Sequence, residues 1–84
     1  VLGPLAWPNT KFERDLRATV DVLVENQFSQ VAAARTLFLH KNSMRYRIQK
    51  IEEITGLTLS RHDHTHQLQL AVEADRLSLV RNDS

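Results

Sequence analysis

Four basic side chains follow one another along residues 40–50 with no acid between them: Lys41, Arg45, Arg47 and Lys50. The first acids after this run are Glu52 and Glu53. Ammonium and guanidinium groups bind phosphate oxygens, and Lys or Arg can also donate to the O6 and N7 atoms of guanine. A helix face in water can carry the same charges without any ligand. The run therefore predicts either a surface for a polyanion or a solvated helix face.

The remaining polar residues give little indication of catalytic or metal chemistry. The chain has no cysteine, which excludes disulfides and thiolate metal sites. It has no glycine-rich phosphate loop, and no serine, histidine and acid stand together in a framework for nucleophilic catalysis. His62, His64 and His66 lie at alternate positions, and histidines four residues apart on a helix can bind a metal ion. These three straddle the predicted start of a helix, so we expect exposed histidines rather than a metal site. We therefore expect no enzymatic activity, no cofactor and no metal site.

Length and composition indicate one small domain. The chain has 84 residues, a formal net charge of +1 and many residue types that favour helix over strand. Because the total charge is near zero, a polyanionic partner can be argued only from where the charges lie. No apolar run approaches the roughly 18 residues of a transmembrane helix, and no signal peptide is visible. We expect a cytoplasmic domain without a membrane partner.

The first nine residues differ in character from the rest. Pro4 and Pro8 restrict the backbone and predict an extended lead-in over residues 1–9. The chain also begins without a methionine, so we expect these residues to follow a missing upstream region. Residues 10–84 are then the folded domain.

The sequence TKFE at residues 10–13 predicts the start of the first helix. Thr10 and Glu13 have the spacing of a capping box, in which each side chain accepts the backbone N–H of the other residue. The helix is predicted from Lys11 to Glu25, with a face of mixed charge in solvent. Its predicted buried stripe consists of Phe12, Leu16, Val20, Leu23 and Val24.

Two further helices form the centre of the predicted domain. Ser29 is a typical N-cap for a second helix from about Gln30 to Leu37. A third helix runs from about Lys41 to Thr55 and ends at Gly56, the residue type most suited to a left-handed cap. A short helix, a turn of about three residues and a second helix with a basic start are the outline of a helix-turn-helix.

A fourth helix is predicted from about His64 to Val80, with Ser60 or Asp63 as its N-cap. Its apolar surface is wider than a core of this size requires. We expect the excess to contact a second copy or the remainder of a longer chain. The predicted fold is all-α, a three-helical helix-turn-helix core of the winged-helix or Fis-like kind followed by a C-terminal helix.

Small and apolar residues support the predicted crossing of the second and third helices. Ala34 is small enough for close approach, Leu37 and Leu39 flank the turn, and Met44 and Ile48 anchor the third helix from beneath.

The strings AAARTLFLHKNSMRYRIQKIEEITGLTL and LQLAVEADRL resemble the C-terminal helix-turn-helix domain of the PucR/CdaR family of bacterial transcriptional regulators. The positions that match are Ala33, Ala34, His40, Asn42, Ser43, Arg45, Tyr46, Arg47, Ile48, Ile51, Thr55, Gly56, Leu57, Leu68, Leu70 and Ala71.

One position departs from the usual pattern of helix-turn-helix turns. Phe38 stands where many such proteins have a glycine with positive φ. The turn must either avoid that conformation or accept strain of about 1 kcal/mol or more.

The resemblance implies that the chain is the DNA-binding end of a transcriptional regulator, with the third helix in the major groove of double-stranded DNA. We expect binding by a homodimer, formed through the C-terminal helix or the missing upstream region, or by a larger assembly, on a pseudo-palindromic site. An effector would then bind outside these residues. The alternative is a protein-interaction or dimerisation module that keeps the helix-turn-helix shape without touching DNA, which the near-zero net charge favours.

With the third helix in the groove, Lys41 and Arg45 are candidates to donate hydrogen bonds to guanine, and Asn42 is a candidate to pair with adenine. Arg47 lies close to the Met44 side and could instead pair with an acid of the first helix. Candidate phosphate contacts, and further residues of the same exposed face, are Ser29, Gln30, His40, Ser43, Tyr46, Gln49 and Lys50.

Two of these assignments have a structural alternative. The Tyr46 ring could pack half-buried on the second helix. Ser29 and Gln30 could form an ordinary helix start.

Overall fold

Four α-helices and a short 3₁₀ helix form the structure, a computed structural model that describes the backbone of residues 2–83 and the side chains of residues 2–77. The α-helices are α1 (Lys11–Glu25), α2 (Gln30–Thr36), α3 (Lys41–Thr55) and α4 (His62–Asp83). No strand occurs within residues 2–83, so the predicted all-α class is confirmed. The bounds of α1 and α3 are as predicted, α2 ends one residue early, and α4 is longer at both ends.

Side-chain caps explain where α1 and α2 begin, and a glycine explains where α3 ends. Thr10 Oγ1 accepts from the Glu13 N–H at 3.1 Å, and Glu13 Oε1 accepts from the Thr10 N–H at 3.3 Å, which confirms the capping box. Ser29 Oγ accepts from the Ala32 N–H at 3.2 Å, as expected of an N-cap. Gly56 closes α3 in the left-handed conformation with φ 72°.

The predicted start of α4 is wrong. The helix begins at His62, so Asp63 lies within its first turn and Ser60 lies two residues before it. The connection is fixed instead by bonds that span it. His64 Nδ1 accepts from the Thr58 N–H at 2.8 Å, and Glu52 Oε2 accepts from the Leu59 N–H at 2.8 Å. Neither bond follows a standard capping spacing, which is why the sequence did not reveal them.

The predicted extended lead-in is also wrong. Gly3–Leu5 is a 3₁₀ helix, and Pro4 is accommodated in its first turn because the missing N–H would have no helical partner there. Leu2 and Leu5 are buried in the core, and the Leu5 carbonyl accepts from the Arg17 guanidinium at 3.2 Å. These residues therefore belong to the packed domain.

One apolar core joins the 3₁₀ helix to all four α-helices. Met44 and Ile48, which were predicted to anchor α3, supply its inward face together with Ile51. The other buried apolar residues are Leu2, Leu5, Leu16, Val20, Leu23, Ala33, Leu57, Leu59, Leu68 and Val72. No helix in the described part of the chain is long and apolar enough to cross a lipid bilayer.

Two residues of the predicted α1 stripe are not in the core. Phe12 is 43% exposed, and Val24 is only partly buried. Thr19 is fully buried instead, and its hydroxyl donates to the Asp15 carbonyl at 2.8 Å. Phe12 lies in the first turn of α1, where its ring faces Tyr46 on α3 rather than the centre of the domain.

Part of the charged face of α1 is covered by α4, so the expectation that it lies in solvent is wrong there. Arg17 NH1 lies 2.8 Å from Asp75 Oδ2, and the two side chains are only 13% and 16% exposed. Arg17 Nε also pairs with Asp21 at 3.2 Å, and Arg76 reaches the same carboxylate at 3.2 Å. The pairs of Arg17 with Asp75 and of Arg76 with Asp21 join the middle of α4 to α1.

We expect Arg17→Met to lower the free energy of unfolding by about 2 kcal/mol or more, because it leaves the shielded Asp75 carboxylate without its closest partner. Urea denaturation measures this change. The control is Lys11→Met, which removes an exposed ion pair of the same helix and should cost less than about 0.5 kcal/mol. Equal effects of the two substitutions would contradict a stabilising role for the Arg17–Asp75 pair.

Candidate nucleic-acid interface

The turn between α2 and α3 is a Schellman motif that contains a phenylalanine at its left-handed position. The Leu39 N–H donates to the Ala34 carbonyl at 2.9 Å, and the Phe38 N–H donates to the Arg35 carbonyl at 3.3 Å. Phe38 has φ 56°, so of the two possibilities left open by the sequence, the strained one is present. This turn fixes how the start of α3 projects beyond α2.

His40 caps α3. Its Nδ1 accepts from the Asn42 N–H at 3.1 Å, so the neutral ring carries its hydrogen on Nε2. The side chain is exposed, which leaves Nε2–H available as a donor at the helix start. The unpaired backbone N–H groups of the first turn, together with the helix dipole, favour an anion at the same place.

The first two turns of α3 form a ridge between two clefts. One cleft, of about 380 Å³, separates α2 from α3, and the other, of about 460 Å³, separates α1 from α3. The lining of the α2 cleft includes Gln30, Val31, Arg35, Lys41 and Arg45. The lining of the α1 cleft includes Phe12, Asn42, Ser43, Tyr46 and Arg47. Most of the predicted site residues therefore lie on the ridge or on the facing wall of a cleft.

Lys41 and Arg45 are exposed, and within residues 2–77 neither forms an ion pair or a side-chain hydrogen bond. Their charges face the α2 cleft. Asn42, Ser43 and Gln49 are exposed on the same helix, and Ser29 and Gln30 are exposed at the start of α2. A free cation on a ridge can approach a polyanion without first breaking an internal contact.

Arg47 is turned toward α1. Its NH1 donates to Thr19 Oγ1 at 3.0 Å and lies 3.4 Å from the Asp15 carbonyl, and the side chain is partly buried. The predicted alternative of a contact with the first helix is therefore present, although a hydroxyl and a carbonyl take the place of an acid. These bonds tie the middle of α3 to α1.

Tyr46 does not pack on α2, so that alternative is wrong. The residue is 52% exposed, and its ring centroid lies 6.3 Å from that of Phe12 on α1. Lys50 Nζ lies 5.5 Å from the same ring and 3.3 Å from Glu53 Oε2. The two rings and Lys50 together form one flank of the ridge.

The segment without acidic residues is longer than the run at residues 40–50. Residues 26–51 contain five basic residues and none of the ten acids of the chain. The additional cation is Arg35 of α2, which lines the α2 cleft with Val31. Both residues were missed as candidates, although extending the acid-free run backward through α2 would have indicated Arg35.

The alternating histidines do not form a metal centre. Among the described residues, no group of three histidine or acidic side chains is placed to hold a metal ion. His64 Nδ1 is engaged by the Thr58 N–H. The neighbouring Arg61 guanidinium, which donates to Asp63, holds the pKa of that exposed carboxyl below its usual value.

Comparison with known protein families shows which family this helix-turn-helix belongs to. The family model of the PucR C-terminal helix-turn-helix domain matches residues 16–74, which include the whole of α2 and α3. The chain belongs to this family. The resemblance of its motifs to PucR/CdaR regulators is thereby confirmed.

Curated relatives of the chain include named bacterial regulators. It is 33% identical over 60 residues to the carbohydrate diacid regulator of Escherichia coli, a match that covers 71% of this chain and 16% of that protein. It is 32% identical over 65 residues to the purine catabolism regulatory protein of Bacillus subtilis, covering 77% and 12% respectively. The chain thus spans a small part of these relatives. No solved structure matches it closely enough for comparison.

Proposed function

We propose that this PucR-family helix-turn-helix domain binds double-stranded DNA in a sequence-specific manner, with α3 in the major groove. The observation that carries the proposal is the exposed position of Lys41 and Arg45, whose charged ends have no partner within residues 2–77. A solvated helix face explains exposure equally well. It does not explain why acids are absent from the whole of residues 26–51 while both neighbouring segments contain them.

The shape of the ridge suits the major groove. That groove is about 12 Å wide and admits one α-helix. With the first turns of α3 inserted, the two flanking clefts would face the two phosphate backbones that border the groove. Lys41 and Arg45 would donate to guanine O6 and N7, and Asn42 would pair with adenine.

Phosphate contacts would come from both sides of the ridge. On the α2 side, Ser29 and Gln30 lie at a helix start, where open N–H groups favour an anion. On the α1 side, Ser43 and Tyr46 present hydroxyls, and Lys50 presents its charge beside the tyrosine ring. His40 would add its Nε2–H. Gln49 extends the exposed face, and Arg47 would act chiefly by holding α3 in place.

The biological unit we propose is a cytoplasmic homodimer that regulates transcription on a pseudo-palindromic site, with half-sites about one helical turn apart. Leu70 and Leu77 on α4 are 52% and 63% exposed and offer a surface for the second copy. The relatives are far longer than the matched segment, so dimer contacts and an effector site could also lie in regions outside these residues. The site described above has no catalytic part in this function.

A second candidate function is supported by the same exposed leucines. A module that binds another protein through α4, without touching DNA, would need Leu70 and Leu77 but would have no use for the acid-free segment of residues 26–51.

Binding to a pool of random duplexes at two salt concentrations separates these functions. DNA binding through phosphates predicts an affinity that falls steeply with salt, together with enrichment of particular sequences during selection. The competing function predicts no binding even at low salt.

We expect Arg45→Ala to lose about 1–3 kcal/mol of discrimination at one base position of the selected sites, because a bidentate contact to guanine is removed. Competition between a selected duplex and its single-base variants measures this loss. Arg61→Ala is the matched control, since it removes an exposed arginine beyond the far end of α3. Discrimination by Arg45→Ala equal to that of the control would contradict base contact by Arg45.

A further inference from the structure

Phe38 combines two features that the fold does not require. Its side chain is 96% exposed, so the ring contributes almost nothing to the core. Its backbone has φ 56°, a conformation unfavourable for bulky side chains and open to glycine at no steric cost. Glycine at this position would close the same Schellman motif with less strain. Stability alone therefore does not explain a phenylalanine here.

The surroundings of the ring indicate what it could contact. Phe38 lies in the turn after α2; its exposed neighbours in sequence are Arg35, Thr36 and His40, while Leu37 and Leu39 on either side of it are partly buried. Protein-binding hot spots usually lie at the centre of a well-packed apolar patch, whereas Val31 and Phe38 are the only large apolar residues that are strongly exposed within residues 30–42. Phe38 is a single apolar ring in a polar and cationic setting.

The sugar-phosphate backbone of DNA has the complementary character, because apolar faces of deoxyribose alternate with phosphates. Phe38 lies two residues before His40, the cap of α3, and three residues after Arg35, which lines the α2 cleft. Leu39, the next residue along the chain, lines both clefts, so the exposed ring lies in the turn that borders the cleft that would face one DNA strand.

We propose that Phe38 packs on a deoxyribose of the bound duplex while Arg35 pairs with an adjacent phosphate. This inference rests on the DNA-binding function proposed above and adds two contacts to it. Neither contact reads a base, so both position the domain on any sequence. The strained turn is then retained because it holds the ring out toward the DNA.

Phe38→Gly tests the inference with a fluorescent duplex of random sequence at low salt. We expect a loss of affinity of about ten-fold, roughly the value of half-burying a phenyl ring. The dependence of affinity on salt should be unchanged, because no charge is removed, whereas Arg35→Ala should make it less steep. The midpoint of thermal unfolding should equal or exceed that of the parent chain, since the strain is relieved.

Gln27→Gly is the matched control. Gln27 occupies the same position in the Schellman motif that ends α1, with φ 56° and an exposed side chain, but it lies beside α4, where it lines a cavity with His62 and Gln69. Its replacement relieves similar strain and should leave DNA affinity unchanged. Phe38→Asn provides a second test, since asparagine tolerates the left-handed conformation and lacks the ring; we expect the same loss.

The outcomes separate this inference from the function on which it rests. Equal affinity of the parent, Phe38→Gly and Gln27→Gly would overturn the inference while leaving DNA binding intact, and would favour a protein contact for Phe38. An equal loss in both glycine variants would also overturn it, because the ring would not be the cause. Failure of the parent chain to bind the duplex would overturn both proposals.

Discussion

The attachment of α3 to the rest of the domain is the constraint on which the surface depends. Met44, Ile48 and Ile51 are 2%, 7% and 0% exposed and fix which side of the helix faces the core. Arg45 and Arg47 leave an α-helix about 200° apart. With the apolar face held down, Arg47 reaches Thr19 on α1, and Arg45 is left at the α2 cleft without an internal partner within residues 2–77. The packing of α3 on the core therefore directs Arg47 to a contact within the domain and leaves Arg45 at the surface.

The chain is nearly neutral overall, but its charges are divided unevenly between the helix-turn-helix and the rest of the domain. A formal charge of +1 conceals five cations without an acid in residues 26–51 and an excess of four acids elsewhere. Several acids of α1 and α4 form ion pairs within the domain, such as Asp75 with Arg17. Of the five cations in residues 26–51, only Lys50 forms an ion pair among the described residues, and Arg47 donates to the Thr19 hydroxyl. Electrostatic attraction is therefore concentrated where α3 projects.

Local signals made much of this fold predictable. The Thr10 capping box, the Ser29 cap and Gly56 each act within a few residues, so the bounds of α1 and α3 and the start of α2 follow from sequence. Contacts between distant segments were not predictable. Nothing near Arg17 in sequence indicates that Asp75 will cover it, just as nothing in the opening residues shows that Leu5 will enter the core. For the candidate site, residue types and spacing identified the exposed face, whereas the inward course of Arg47 needed the position of Thr19.

The central claim is that the ridge of α3, with the start of α2, is the surface that meets DNA. Titration of the isotopically labelled chain with a duplex, followed by NMR of its backbone amides, tests this directly. The account predicts that the largest shift changes fall within residues 29–31 and 38–50, with little change in α4. Changes concentrated around Leu70 and Leu77, with the amides of α3 unaffected, would contradict it.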